Sequence, residues 1–249
     1  MALANDETAS RLPSATATNT NTNTKTRAGG AWLVVGSVLG VASLVLHPPP
    51  SADLAVFMAT IADDPTRWAL VHWVGALAVS SFVVAGLLVL TAGSRLTRTW
   101  WTASAWALLV VAGLWVTTAA LAEATVIAAA AAAGDTSTFE AWLRFADAHD
   151  FGFVAIGTAI AAIAVNEARA APRTTPTWAA WVGAVAGMVV SVAFVLGLGV
   201  GIEAAIPAWL VSLIVMLLWT GWFGVSLVRS AGEVSPHEAH DADTQEAVH

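Results

Sequence analysis

Apolar residues run almost without interruption through six stretches of the chain, at about 30–47, 67–92, 100–127, 149–171, 178–202 and 206–228. Each approaches or exceeds the roughly 20 residues that cross a hydrocarbon core about 30 Å thick as a helix. Backbone amides in lipid must pair within their own segment, which makes each run a helix. Strands of a membrane barrel would alternate apolar and polar positions over short segments, and no segment here does so. The pattern therefore predicts an all-α fold, a bundle of six transmembrane helices occupying residues 29–229.

The flanks read differently. Residues 1–28 include "TATNTNTNTKTR", a polar tract with too little apolar surface to offset its ordering entropy, and are expected to be disordered. Residues 230–249 form an acidic tail, "SPHEAHDADTQEAVH" from Ser235 onward, also expected to be disordered, whose His237, His240 and His249 offer weak, unspecific metal contact. Two segments between the runs carry helical spacing of their own: "SADLAVFMATIADDPTRW" before and around Pro65, and "TSTFEAWLRFADAHD" before the fourth run. Both are expected to lie over one mouth of the bundle.

Composition supports a membrane protein whose first partner is the lipid bilayer. Hydrophobic residues make up 57% and charged residues 11%, against about 45–50% and 25% in soluble domains, and the mean hydropathy is +0.73. With no cysteine, disulfides, thiolate metal sites, iron–sulfur clusters and cysteine nucleophiles are excluded. There is no phosphate-binding glycine loop, no G-x-S-x-G elbow, and no basic patch for nucleic acid. Threading the spans alternately puts Arg11, Lys25, Arg27, Arg95, Arg98, Arg169, Arg173 and Arg229 on one side and Arg67 and Arg144 on the other. The positive-inside rule then places both termini in the cytoplasm of a multi-pass protein of the cell membrane.

Polar groups collect at the opposite, extracytoplasmic depth. His47 ends the first helix, His72 lies about one and a half turns into the second, and Glu123 lies in the outer part of the third. His149 and Asp150 open the fourth, and Glu203 closes the fifth after "GLGVG". Ionisable side chains at this depth are costly and turn toward the bundle interior, where they pair with one another. Glu123, in "TAALAEATVIAAAAA", has no basic residue near it in sequence, so it requires a proton or a cationic partner from another helix. Pro48, Pro49 and Pro50 remove three successive backbone donors and stop the first helix at His47, which holds that imidazole at a fixed height.

His47, His72, Glu123, His149 and Glu203 are thus the candidate metal ligands, each from a different helix. Copper or zinc suits imidazole with carboxylate, and a b-type haem held by two of the histidines is a further option. Asn166 and Glu167 near the inner end of the fourth helix read as an interfacial polar cluster beside Arg169.

"LHPPP" after the first span, "WALVH" from Trp68 to His72, and "AEATVIAAA" around Glu123 resemble a loose group of small multi-helix prokaryotic membrane proteins. The resemblance covers residues 30–130; it implies that His47, His72 and Glu123 act together, and it implies no reaction. Three functional readings stay open: a membrane protein with a metal- or haem-binding His/Glu cluster, a small proton-coupled transporter using Glu123 and His72, and a non-catalytic accessory subunit that docks on a membrane partner or on its own copies.

Overall fold

The computed structural model describes residues 15–48 and 53–230 of the chain. It is helical, with no strand among the described residues, and six of its helices are long and apolar enough to cross a membrane: Thr20–Leu46, Pro65–Ala92, Trp100–Ala133, Thr136–Arg169, Thr177–Gly199 and Ala205–Ser230. The elements are α1 (Ala15–Leu46), α2 (Leu54–Asp63), α3 (Pro65–Ala92), α4 (Trp100–Ala122), α5 (Ala128–Ala133), α6 (Thr136–Asp150), α7 (Gly152–Arg169), α8 (Thr177–Phe194) and α9 (Ala205–Ser230). π-helical turns occupy Glu123–Ile127, joining α4 to α5, and Val195–Gly199, ending α8.

Local chemistry sets the boundaries. Asp53 and Asp64 cap the starts of α2 and α3 by accepting from backbone N–H groups, and Pro65 takes the first position of α3, where its missing N–H costs nothing. Gly93 ends α3 and Gly134 ends α5 in the left-handed region, at φ 64° and 68°. The Asp135 carboxylate caps α6 by accepting from the Thr138 hydroxyl, the Thr138 N–H and the Ser137 hydroxyl, bonds that hold its pKa below the usual carboxylate value.

The spanning helices α1, α3, α4, α7, α8 and α9 pack in chain order, each chiefly against its sequence neighbours, and α9 closes the circle on α1. Two seams bring backbone against backbone. A Cβ at Gly187 would lie 2.5 Å from the carbonyl oxygen of Gly157, and one at Gly224 would lie 2.5 Å from that of Gly30, so α7 meets α8, and α1 meets α9, where only glycine fits. Leu33, Phe82, Trp106, Leu109, Ile160 and Phe223 belong to the main buried core between these helices.

Thirty-four residues from Trp100 to Ala133 would extend about 50 Å, more than the roughly 30 Å hydrocarbon thickness. The excess gathers at the end where α1 stops. There α2, α5 and α6 join the tip of α3 in a second core of Phe57, Ile61, Trp68, Ile127 and Phe139. At the opposite end Arg95 pairs with Glu167 at 3.1 Å, and the fully buried Glu167 carboxylate also accepts from the N–H groups of Thr174 and Thr175 and the Thr174 hydroxyl. Glu167 thus anchors the loop between α7 and α8, which contains a cis Ala171–Pro172 bond.

The N-terminal boundary differs from the sequence expectation. Residues 15–28, read there as part of a disordered tail, are helical in α1. A helix already nucleated in the apolar run extends at one hydrogen bond per residue. Thr24 and Thr26 bond back to the carbonyls of Thr20 and Thr22, and Lys25 Nζ donates to the Thr91 carbonyl across the α1–α3 seam. Residues 1–14, residues 49–52 with the second and third prolines, and residues 231–249 with their three histidines lie outside the described residues.

Candidate functional site

Helical spacing brings the site together. On α3, His72, Gly75, Val79, Phe82, Gly86 and Val89 recur at three- and four-residue steps, and on α4 the steps Leu109, Ala112, Val116, Ala119 carry the same stripe forward to Glu123. Each polar residue therefore occupies a position that is core-facing one turn earlier or later. The π turn at Glu123–Ile127 takes up an extra residue just where Glu123 meets α3, a device found often where a helix serves a functional group.

Trp68 is the hub. It is 2% exposed, and its indole Nε1–H donates to Glu123 Oε2 at 3.1 Å. Its ring lies 4.5 Å from the His72 imidazole in a tilted stack, 5.0 Å from His47 edge to face, and 5.3 Å from Phe57 of α2. His47 and His72 also meet each other, with ring centroids 5.1 Å apart and planes at 69°. Both imidazoles are half-buried.

The two rings are held alike. His72 Nδ1 lies 2.9 Å from the Trp68 carbonyl oxygen, and His47 Nδ1 lies 2.6 Å from that of Pro48. A carbonyl only accepts, so each Nδ1 carries the proton and each neutral ring keeps its lone pair on Nε2. His47 stands one residue beyond the first span, and burial holds its pKa below the ordinary histidine value, with the Pro48 hydrogen bond acting in the opposite sense. The Arg67 guanidinium donates to the Leu46 carbonyl at 3.2 Å and so closes the end of α1 beside His47.

Glu123 is 8% exposed. Neither of the two ion pairs among the described residues, Arg95–Glu167 and Arg144–Glu140, involves it.

Of the five residues proposed from sequence, the fold brings three together. His47 and His72 touch, and Glu123 reaches them through the Trp68 indole. His149 goes elsewhere: its Nδ1 bonds the Phe145 carbonyl, and its ring packs 4.1 Å from Phe145 and 6.1 Å from Trp115, on the aromatic stripe of α6 rather than on the face toward Glu123. Glu203 is exposed in the turn before α9, where its carbonyl accepts from the Ile206 N–H. Depth along a span is readable from sequence, whereas direction around the helix axis at a span's end depends on where the helix starts. Trp68 is the central residue, present in the sequence reading only as the first residue of "WALVH"; its i to i+4 spacing from His72 is the signal that places it on the same face.

Among the described residues no group of three or more His, Asp or Glu side chains is arranged to hold a metal ion. What the cluster offers is a pair of imidazoles. A haem bound by both would need the rings on opposite sides of the macrocycle, and rings in edge contact leave no space for one between them. Comparison with known proteins returns no match: no family model, no curated protein and no solved structure matches the chain.

Proposed function

We propose that this is a multi-pass membrane protein, both termini cytoplasmic, that holds a transition-metal ion between His47 and His72 at the extracytoplasmic mouth of its bundle. The observation that carries the reading is the matched pair of backbone carbonyls, which set both rings with the proton on Nδ1 and the lone pair on Nε2. Ligating histidines are characteristically oriented in this way, with the second nitrogen donating to a carbonyl or carboxylate. The separation also suits one shared ion: two imidazoles on a tetrahedral centre, each nitrogen about 2.0–2.1 Å from the metal, place their ring centres about 5 Å apart, against 5.1 Å here. Imidazole favours zinc, copper, nickel or iron. With two protein ligands, the remaining positions are open to water or to a second molecule, which points to metal handling or metal-assisted chemistry rather than a closed structural site. The basic residues Arg95, Arg98, Arg169, Arg173 and Arg229, gathered away from the histidines, support the orientation.

Metal analysis tests this. Purified protein carrying His237→Ala, His240→Ala and His249→Ala, stripped with chelator and reloaded with zinc, should retain one ion per chain. His47→Ala or His72→Ala should abolish retention, and His149→Ala should not. Retention that survives both pair substitutions, or none in the parent, removes the reading.

Proton-coupled transport has one observation in its favour: Glu123 is buried near the same mouth without an ion-paired cation among the described residues. Proton-driven flux in vesicles that is lost with Glu123→Gln would support it.

A further inference from the structure

We infer that Glu123 serves the histidine pair as a positioning residue, acting through Trp68, and is not itself a ligand. The inference deepens the metal reading in part, because it assigns the roles within that site, but its core concerns the geometry of His72 with or without an ion.

The chain of contacts runs in one direction. Glu123 Oε2 accepts the indole N–H at 3.1 Å, which fixes the rotation of the Trp68 ring in a place where that ring is almost wholly buried. The ring face then lies against the His72 imidazole at 4.5 Å, and its edge contact with His47 is 5.0 Å. The same residue supplies the carbonyl that accepts His72 Nδ1–H. The Trp68 side chain therefore packs against the His72 ring while its backbone carbonyl holds the Nδ1 proton. Without the acceptor on Glu123, the buried indole N–H is left unsatisfied, and the ring must turn to find another partner. Phe57 also packs against the Trp68 ring, so a turn of the indole disturbs its aromatic neighbours, the two imidazoles among them.

The charged and titratable groups around this contact agree with a positioning role. α3 contributes Arg67, which is committed to the Leu46 carbonyl; α1 ends beside His47; and α6, packed on the turn that holds Glu123, carries Asp147 and Asp150. No group of three ligating side chains that includes Glu123 forms among the described residues. The π turn starts at Glu123, at the point where its carboxyl meets the indole of the facing helix.

Three substitutions separate positioning from ligation. Glu123→Gln keeps a carbonyl acceptor for the indole, Glu123→Leu keeps bulk without an acceptor, and Trp68→Phe keeps a ring without the donor. The first readout is ¹⁵N NMR of histidine-labelled, metal-free protein in lipid nanodiscs, with the His72 signals assigned by His72→Asn. The Nδ1–H tautomer should persist in the parent and in Glu123→Gln, and give way to mixed tautomers in Glu123→Leu and Trp68→Phe. The second readout is zinc affinity in the chain lacking its three tail histidines. It should change less than about twofold in Glu123→Gln and weaken about 10–100-fold in the other two, as for loss of a group that orients a ligand. If Glu123→Leu does not fold, Trp68→Phe against Glu123→Gln carries the comparison alone. Glu123→Gln weakening zinc as much as Glu123→Leu would make the carboxylate a ligand and overturn the inference. An unaltered tautomer in both disruptive variants would overturn it too. A parent that binds no zinc but shows the tautomer pattern would sink the metal reading and leave the positioning role standing.

Discussion

The imidazoles of His47 and His72 meet edge to face with ring centroids 5.1 Å apart, although they belong to different helices and His47 lies just past the end of its own. Two protonated imidazoles at this distance would repel each other, so the contact favours neutral rings or a shared cation. Their Nδ1–H groups are each taken by a main-chain carbonyl, so the two lone pairs are the chemistry the contact leaves over.

Acid should lower the stability of the fold through His47. Burial keeps the folded pKa of His47 below the ordinary value, which is about 6.5 for an unfolded chain. As pH falls through 6.5 the unfolded state takes up its proton first, so stability drops until the lower folded pKa is reached, and then levels. Thermal unfolding in detergent at pH 7.5 and 5.5 should show a larger fall in Tm for the parent than for His47→Asn. Equal falls would show that the His47 imidazole contributes nothing to this dependence.

Gly187→Ala should damage the α7–α8 seam. The added methyl would sit 2.5 Å from the Gly157 carbonyl oxygen and 2.9 Å from the Ala161 nitrogen, both backbone atoms that cannot step aside. A cost of about 1–3 kcal/mol is expected for such overpacking. Gly221→Ala, whose methyl would meet the Ser37 side chain at 3.2 Å, should cost clearly less in the same unfolding assay.

At the other end of the bundle, Glu167→Ala should be among the most damaging single changes. It strips Arg95 of its partner and removes the acceptor for the backbone of Thr174 and Thr175. Breaking one side of a buried pair costs about 3–5 kcal/mol, discounted here because the Arg95 side chain is 28% exposed. Glu167→Gln, which keeps acceptor oxygen for the loop, should fall between parent and alanine in thermal stability.

Much of this architecture was legible in the sequence, and the reasons are particular. The second span was read as 67–92 and is found at Pro65–Ala92, because Asp64 and Pro65 start it and Gly93 stops it by local chemistry alone. Both short amphipathic segments are helices, α2 and α6, as their spacing indicates. Within the site, His72 and Glu123 could be placed because each continues an apolar stripe at helical steps. The indole bond between Trp68 and Glu123 could not, since it joins residues 55 apart in the chain across two helices. Nor could the fate of His149: α6 carries Trp142, Phe145 and His149 on one face and Asp147 and Asp150 on another, and only the packing of α6 against α4 decides which face meets Glu123.

Orientation is testable directly because the chain has no cysteine. Single substitutions Ser94→Cys, beside the 3₁₀ turn at Arg95–Thr97, and Ser137→Cys, at the start of α6, lie at opposite ends of the bundle. A membrane-impermeant maleimide added to intact cells should label Ser137→Cys and spare Ser94→Cys. The reverse pattern would invert the topology and move the histidines to the cytoplasmic side.

The most direct test of the whole account is electron paramagnetic resonance of Cu(II) bound to the protein lacking His237, His240 and His249. One copper per chain, with hyperfine coupling from two imidazole nitrogens that drops to one in His47→Asn and in His72→Asn and is unchanged in His149→Asn, is the predicted result. A spectrum with no nitrogen coupling, or one that neither pair substitution alters, would contradict it.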